Sequence, residues 1–176
     1  MEQHLIYHGA INPQGVRNVE TLMLAAMRDG ASRIVLHICS GGGDVTAGIG
    51  LYNFIRALPI PVDTHAFGVC GSIAATIYLA GDNRSTVATS AFSLHAATYI
   101  EGPLKGQVSS NTTLIALPFK ERLEWDDNLI QRYFGDAADK QILPDEAVAL
   151  RIASSVQDRL LPSDPDRIMN VALLDT

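Results

Sequence analysis

The sequence predicts an α/β fold with a mostly parallel sheet, and two observations lead to that prediction. Apolar runs of strand length alternate along the chain with segments of helical periodicity. Apolar residues make up 47% of the 176 residues and charged residues only 18%, so the chain can bury a substantial core. Strands that alternate with helices pair in parallel through right-handed crossovers. We therefore expect a single domain over residues 1–176, without internal repeats or linkers.

The first half of the chain carries the clearest element boundaries. Asp29-Gly30 ends an apolar helical stripe, Asp44 is placed to cap the helix that follows it, and Pro59 ends that helix. In chain order, we expect strands at residues 5–7, 33–39, 62–68, 86–87 and 92–94, and helices at residues 16–27, 45–58 and 72–80.

The second half is expected to be mainly helical. Residues 96–111 are polar and contain glycine, which is typical of a loop or hairpin. Residues 114–134 carry a helical pattern, with Pro118 marking its beginning or a kink and Gly135 ending it. A last short helix is expected from Pro144 to residue 150.

Composition and charge exclude several function classes. The net charge of −6 repels phosphate backbones, so nucleic acid is not an expected partner. Two cysteines cannot make a disulfide framework and no metal-ligand spacing is present, so we expect no metal and no cofactor. The N-terminus lacks signal-peptide character and no apolar run approaches the roughly 18 residues that a membrane span needs. We expect a cytoplasmic protein that does not contact a membrane.

Three features could carry chemistry. Gly41-Gly42-Gly43 lies between a strand and a helix, where bare N–H groups can face an oxyanion or phosphate, although a plain tight turn is the alternative. Asp44 stands where a phosphate-binding loop needs lysine, and no third glycine completes a dinucleotide fingerprint. The turn therefore fits acyl chemistry better than phosphate binding.

The other two features are a serine and a histidine. Ser72 begins a helix of small residues, so it is either a helix cap or a nucleophile. The neighbouring Cys70 is the other candidate nucleophile, or a buried and inert thiol. His95 follows a strand-like run, and a single histidine in such a place usually has a structural role. Asp139, taken by itself, is typical of a charged residue in a loop.

Taken in order, these motifs resemble the Clp protease proteolytic subunit family of serine peptidases. Residues 38–48 read I-C-S-G-G-G-D-V-T-A-G, similar to the family's I-N-S-P-G-G-S-V-T-A-G. Residues 68–75 read G-V-C-G-S-I-A-A, where the family has G-x-A-A-S-M-G-A. Residues 93–96 read S-L-H-A, where the family has M-I-H-Q. Residues 139–148 read D-K-Q-I-L-P-D-E-A-V, where the family has D-R-F-L-S-x-x-E-A-V. The resemblance covers about residues 5–161.

The resemblance implies a fold, a reaction and a role for each matched residue. The fold would be the ClpP/crotonase-like ββα superhelix, with residues 96–134 as a handle-like segment. Ser72 would attack the peptide carbonyl, His95 would take its proton, and Asp139 would orient His95. The backbone N–H groups of Gly43 and Ile73 would form the oxyanion hole, and Gly42 with Gly43 would line the substrate site.

The same resemblance implies the partners. Substrates would be peptides or unfolded polypeptides, cleaved inside a chamber of stacked homo-oligomeric rings, and an AAA+ unfoldase is a candidate partner. Two observations favour an oligomer independently. The charged fraction is low for a solvated monomer, and residues 114–134 hold more apolar side chains than one small sheet is expected to cover. We expect this segment in the contact between rings.

Three alternatives remain open. In a signal-peptide-peptidase-like Ser–Lys dyad, Lys120 would be the base, provided that it is desolvated. A crotonase-type acyl-CoA enzyme would share the fold and the oxyanion hole, but paired catalytic glutamates are not evident. A catalytically silent ring subunit would keep the fold without activity. Labelling of the serine by a fluorophosphonate separates these interpretations.

Overall fold

The computed structural model describes residues 1–158 and 161–171 and contains an α/β fold built on one sheet. Helices and strands alternate through its first half, as predicted. In chain order the elements are β1 (Glu2–His8), α1 (Pro13–Arg28), β2 (Arg33–Ser40), α2 (Val45–Ala57), β3 (Val62–Gly71), α3 (Ile73–Tyr78), β4 (Arg84–Thr86), β5 (Ala91–Leu94), α4 (Asn111–Leu123), α5 (Asp127–Phe134), β6 (Lys140–Ile142), α6 (Pro144–Ala149), β7 (Ser155–Val156), a 3₁₀ turn (Pro165–Arg167) and β8 (Ile168–Asn170).

The sheet order is β6-β5-β3-β2-β1-β8, with β4 beside β3 and β7 beside β4. All pairs are parallel except β5 with β6. The long strand β3 pairs with β2 along one edge and with two strands along the other. On that second edge, residues 64–66 pair with β4 and residues 69–71 pair with β5. The carboxyl end of β3 therefore lies directly beside β5, and this placement brings the candidate site together.

The core lies between one face of the sheet and the helices. Leu5 of β1 and Leu36 of β2 are register partners and are almost fully buried. Val19 and Met23 of α1 are also fully buried and belong to the same apolar cluster. Burial of side chains of this size contributes roughly 1.5–3 kcal/mol each, so this layer fixes the sheet on which the site stands.

Local signals explain where α1 begins. Asn12 accepts the Gly15 N–H at 2.7 Å and Pro13 occupies the first turn, which is the usual chemistry of a helix N-terminus. The hairpin expected in residues 96–111 is also present, closed by an antiparallel bridge between Thr98 and Val108.

The expectation of a single helical segment over residues 114–134 is wrong. The structure has two helices, because Glu124 adopts φ +58° and ends α4, and Asp126 caps α5 by accepting the Leu129 N–H. Pro118 lies inside α4 rather than at its beginning. Because proline has no N–H, it cannot donate to the Leu114 carbonyl.

The expectation that this segment carries more apolar surface than one protomer covers is also wrong for its larger side chains. They pack into the protomer's own core, and Trp125 donates its indole N–H to the Leu150 carbonyl at 3.0 Å. What α4 leaves exposed is aliphatic, namely Leu114 and Leu117. The larger side chains that are buried in this segment are Ile115, Phe119, Leu123, Trp125, Tyr133 and Phe134.

Candidate active site

Ser72 occupies a strained turn between β3 and α3. Its backbone has φ +51° and ψ −129°, a conformation that residues other than glycine rarely adopt. Its side chain makes no capping hydrogen bond to the helix. A conformation of this kind costs about 1–3 kcal/mol and persists where the surrounding structure imposes it, typically at functional sites. The structure therefore disfavours a helix-capping role for Ser72.

Contacts on either side impose this turn. The Ser72 N–H donates to the Ser93 carbonyl at 2.7 Å, which ties the turn to β5. Gly42 packs against the opposite side, so closely that a Cβ there would lie 2.7 Å from the Ser72 Cβ and 3.0 Å from the Gly71 carbonyl oxygen. Because Gly42 also has φ +107°, only glycine suits this position. The glycine turn and Ser72 are thus one packed unit.

The glycine turn presents its amide groups in alternating directions. Ile11 donates to the Gly42 carbonyl and accepts from the Asp44 N–H, each at 2.8 Å. The intervening Gly43 N–H therefore points away from Ile11. Among the hydrogen bonds recorded for residues 1–158 and 161–171, none has the Gly43 or Ile73 amide as its donor. Ile73 directly follows Ser72, and Gly43 directly follows Gly42, which packs against Ser72.

His95 and Asp139 face each other across the antiparallel pair β5 and β6. His95 directly follows β5 and Asp139 directly precedes β6, and the register pairs Leu94 with Lys140. The nearest approach of their side chains is 4.0 Å, between His95 Nε2 and Asp139 Oδ1. This distance is beyond a hydrogen bond. His95 is about one-quarter exposed, whereas the Asp139 side chain is 75% exposed.

The three predicted triad residues lie on adjoining elements but are not linked by hydrogen bonds in the described part of the chain. His95 Nδ1 instead donates to the Ala96 carbonyl at 2.7 Å. Because a carbonyl oxygen only accepts, Nδ1 carries the proton and Nε2 of the neutral ring is left as the basic nitrogen. This is the tautomer in which Nε2 could accept the Ser72 proton.

Ser93 is a residue of this site that the sequence patterns did not single out. Its main chain accepts the Ser72 N–H, and its hydroxyl donates to Asp139 Oδ1 at 2.8 Å. It lies two residues before His95. The signal was available in the motif at residues 93–96, where serine stands at a position that is methionine in the family pattern.

The competing nucleophile and base are placed differently. Burial is the main factor that raises the pKa of the Cys70 thiol far above its usual range, with a smaller contribution from Cys39, so Cys70 stays protonated and unreactive. Lys120 lies on the surface, with its ammonium 2.7 Å from Asp127 Oδ1. That hydrogen bond lowers the pKa of Asp127 and marks Lys120 as a solvated lysine rather than a desolvated base.

Three other histidines, His4, His37 and His65, form a buried row across β1, β2 and β3. His4 Nδ1 lies 2.9 Å from His37 Nε2, and the His37 and His65 rings are 5.2 Å apart. His65 Nδ1 pairs with the Ser85 hydroxyl at 2.8 Å. Because side chains alternate along a strand, this row faces away from the Leu5 and Leu36 side of the sheet.

Comparisons with known proteins identify the family of the chain. The sequence profile described as Clp protease matches residues 1–141, which is most of the chain. The chain belongs to the Clp protease family. An ATP-dependent Clp protease proteolytic subunit of Pleurastrum terricola is 34% identical over 82 residues, 46% of this chain and 42% of that protein. Proteolytic subunit 3 of Synechococcus sp. strain CC9902 is 28% identical over 129 residues, 72% of this chain and 62% of that protein. These matches span less than two thirds of the relatives' length.

Solved structures show the fold of the Clp protease family. A mutant of ClpP1 from Listeria monocytogenes superposes with a TM-score of 0.78 at 20% identity, covering 89% of this chain and 92% of that one. The ClpP protease catalytic domain from Plasmodium falciparum superposes with a TM-score of 0.76 at 17% identity, covering 91% of this chain and 87% of that one. The predicted mostly parallel α/β fold is confirmed.

Metal-binding clusters and membrane-spanning helices are both absent from the described residues. In residues 1–158 and 161–171, no group of three or more histidine, cysteine, aspartate or glutamate side chains is arranged to hold a metal ion. No helix within those residues has the length and apolar character to cross a bilayer.

Proposed function

We propose that this chain is a serine endopeptidase of the Clp proteolytic-subunit type. It would hydrolyse short or unfolded polypeptides with Ser72 as nucleophile, His95 as general base and Asp139 as the acid that orients it. The observation that carries the proposal is the backbone of Ser72, which is held at φ +51° between Gly42 and the Ser93 carbonyl and leaves its hydroxyl without a capping role. The names of the relatives, which are ATP-dependent Clp protease proteolytic subunits, support the same reaction.

The proposed mechanism assigns one step to each residue of the candidate site. Ser72 Oγ attacks the peptide carbonyl while His95 Nε2 takes its proton, and His95 later gives that proton to the leaving amine. The Gly43 and Ile73 N–H groups hold the oxyanion; a donor of this type typically contributes about 100- to 1000-fold in rate. Gly42 and Gly43 line the place where the substrate backbone would lie.

One rearrangement must precede catalysis. His95 Nδ1 is engaged by the Ala96 carbonyl, and Nε2 lies on the Asp139 side at 4.0 Å. Rotation of the imidazole that turns Nε2 toward Ser72 and Nδ1 toward Asp139 would complete the triad. Catalytic hydrogen bonds commonly tighten only when substrate binds, so the resting geometry is compatible with this step.

We also propose that the active protein is a homo-oligomer of rings that encloses the sites, in the cytoplasm. The exposed aliphatic side chains of the handle-like segment, residues 96–134, support a contact between subunits, and Ile100 is 78% exposed there. An AAA+ unfoldase is a candidate partner, in line with the ATP-dependent relatives.

A second candidate function is a catalytically silent ring subunit. The observation that favours it is the absence, among the described residues, of hydrogen bonds joining Ser72, His95 and Asp139. Such a subunit would assemble but would not form an acyl-enzyme.

Hydrolysis of fluorogenic peptides by the native protein and by Ser72→Ala tests the proposal. We expect turnover by the native protein and none by the variant, with both showing the same circular dichroism and oligomeric mass. Native-rate hydrolysis by Ser72→Ala would contradict the proposed nucleophile, and no hydrolysis by either protein would favour the silent subunit.

A further inference from the structure

We propose that Ser93 is a positioning residue that holds Asp139 beside His95. This inference rests on the proposed function, since Asp139 is the proposed acid of the triad. The Ser93 hydroxyl donates to Asp139 Oδ1 at 2.8 Å, and the same carboxylate oxygen lies 4.0 Å from His95 Nε2.

Asp139 needs such an anchor because little else restrains it. Its side chain is 75% exposed and it precedes a strand of only three residues, Lys140–Ile142. The ammonium group of Lys140, the next residue in the chain, pairs with Asp136. Within the described residues, the Asp139 carboxylate accepts one side-chain hydrogen bond, which comes from the Ser93 hydroxyl. A carboxylate free to rotate into solvent would orient the imidazole for only part of the time.

Ser93 is suited to this role because it links all three members of the triad. Its carbonyl fixes the Ser72 amide, its hydroxyl fixes the Asp139 carboxylate, and its strand delivers His95 two residues later. Only the hydroxyl is lost in Ser93→Ala. The main-chain bond to Ser72 and the β5 pairing remain, so this variant isolates the contact with Asp139.

A double-mutant cycle distinguishes a positioning role from a merely structural one. The Ser93 hydroxyl donates to a carboxylate that is largely exposed, and solvent weakens such a hydrogen bond, so Ser93→Ala should lower kcat about three- to tenfold with little change in KM. In the Asp139→Ala background the same substitution should have almost no effect, because the acceptor is already gone. Ser93→Thr keeps the hydroxyl and should recover most of the rate.

A matched control is Ser90→Ala, immediately before the same strand. The Ser90 hydroxyl donates to the Val87 carbonyl at 2.9 Å, outside the site. Any effect of Ser90→Ala should be the same with and without Asp139. If Ser93→Ala behaves like this control, or raises the rate, the positioning role is overturned.

A readout that does not need activity keeps this inference separate from the proposed function. The ¹⁵N chemical shifts of the His95 ring are measured in the Ser72→Ala protein with and without the Ser93 and Asp139 substitutions. We expect Ser93→Ala and Asp139→Ala to shift the ring signals in the same direction. Adding Ser93→Ala to Asp139→Ala should then cause no further shift. Independent shifts, or no shift with Ser93→Ala, would overturn the positioning role whether or not the protein hydrolyses peptides. Coupled shifts without turnover in the native protein would reject the peptidase alone.

Discussion

At the residue scale, the chemistry depends on how one serine, one histidine and one aspartate are held. Ser72 is fixed in a backbone conformation that its own side chain does not favour, whereas His95 and Asp139 still have to move relative to each other. In the proposed mechanism, the nucleophile is therefore preorganised by the fold, and the base is completed by side-chain rotation. This difference predicts different sensitivities to substitution.

Asp139→Asn should reduce kcat strongly, but less than Ser72→Ala. In the type case of this triad the equivalent change costs about 10⁴-fold, because the amide stabilises the wrong imidazole tautomer. The Ala96 carbonyl already favours the tautomer with the proton on His95 Nδ1, so the loss should stay below that figure. Steady-state peptide hydrolysis measures it. An unchanged rate would mean that Asp139 does not orient the base.

The two cysteines should differ sharply in reactivity. Burial raises the pKa of the Cys70 thiol, so its thiolate is scarce, whereas Cys39 is partly exposed. We expect iodoacetamide to modify Cys39 in the folded protein and Cys70 only after denaturation, as followed by mass mapping. Loss of activity through rapid alkylation of Cys70 would reinstate the thiol as a candidate nucleophile.

At the scale of elements, the site is made by the junction of the glycine turn with the end of β3. Gly42 packs against Ser72, and the Ser72 N–H donates to the carbonyl of Ser93 in β5. A change in the glycine turn should therefore be felt at the nucleophile although no catalytic side chain is altered.

Gly42→Ala should slow acylation of Ser72 by at least tenfold. The added Cβ would meet the Ser72 Cβ at 2.7 Å, at a backbone φ of +107° that disfavours alanine, so the turn must shift away from the nucleophile. Losing one oxyanion donor alone costs about 100- to 1000-fold. The matched control is Gly41→Ala, where a Cβ meets nothing within 4 Å, and it should label at nearly the native rate. Equal rates for the two variants would show that the glycine turn does not shape the site.

The sequence predicted those elements whose signals are local. The helix from Pro13 has an apolar stripe and a clear end at Asp29-Gly30, and the strand from Arg33 is a β-branched run, so both were predicted within a few residues of their bounds. The break at Glu124 could not be predicted, because a left-handed glutamate carries no signature in the sequence. Short strands such as Lys140–Ile142 were missed because three residues carry no periodicity.

The same limit applied to the site. Ser72 and the glycine turn could be identified from residue types between a strand and a helix, whereas Asp139 resembled a loop charge until the family pattern placed it. Orientation was beyond any pattern, because the bond from His95 to the Ala96 carbonyl depends on one side-chain rotation. The assignment of the three residues as a triad remains a prediction.

At the scale of the whole molecule, the exposed apolar side chains point to assembly. The aromatic residues of residues 114–134 are covered within the protomer, but Leu114 and Leu117 on α4 and Ile100 and Leu104 in the preceding hairpin are not. Several large exposed apolar side chains within one segment favour an interaction site there.

We expect a homo-oligomer at micromolar concentration, with residues 96–134 in the contact between rings. Light scattering should give a mass many times 18.9 kDa, and Leu114→Asp with Leu117→Asp should lower it. Because Leu114 and Leu117 are about half exposed in the protomer, the substitutions should leave its fold intact. A mass near 18.9 kDa across a wide range of salt would contradict the chamber and, with it, a compartmentalised protease.

The measurement that tests the central claim most directly is fluorophosphonate labelling of the native assembly, followed by mass mapping of the modified residue. We expect one adduct per chain, on Ser72, that is abolished by His95→Ala and retained by Lys120→Ala. An adduct that depends on Lys120 instead, an adduct on another residue, or no adduct at Ser72 in the native assembly would contradict the assignment of this chain as a Ser–His–Asp peptidase.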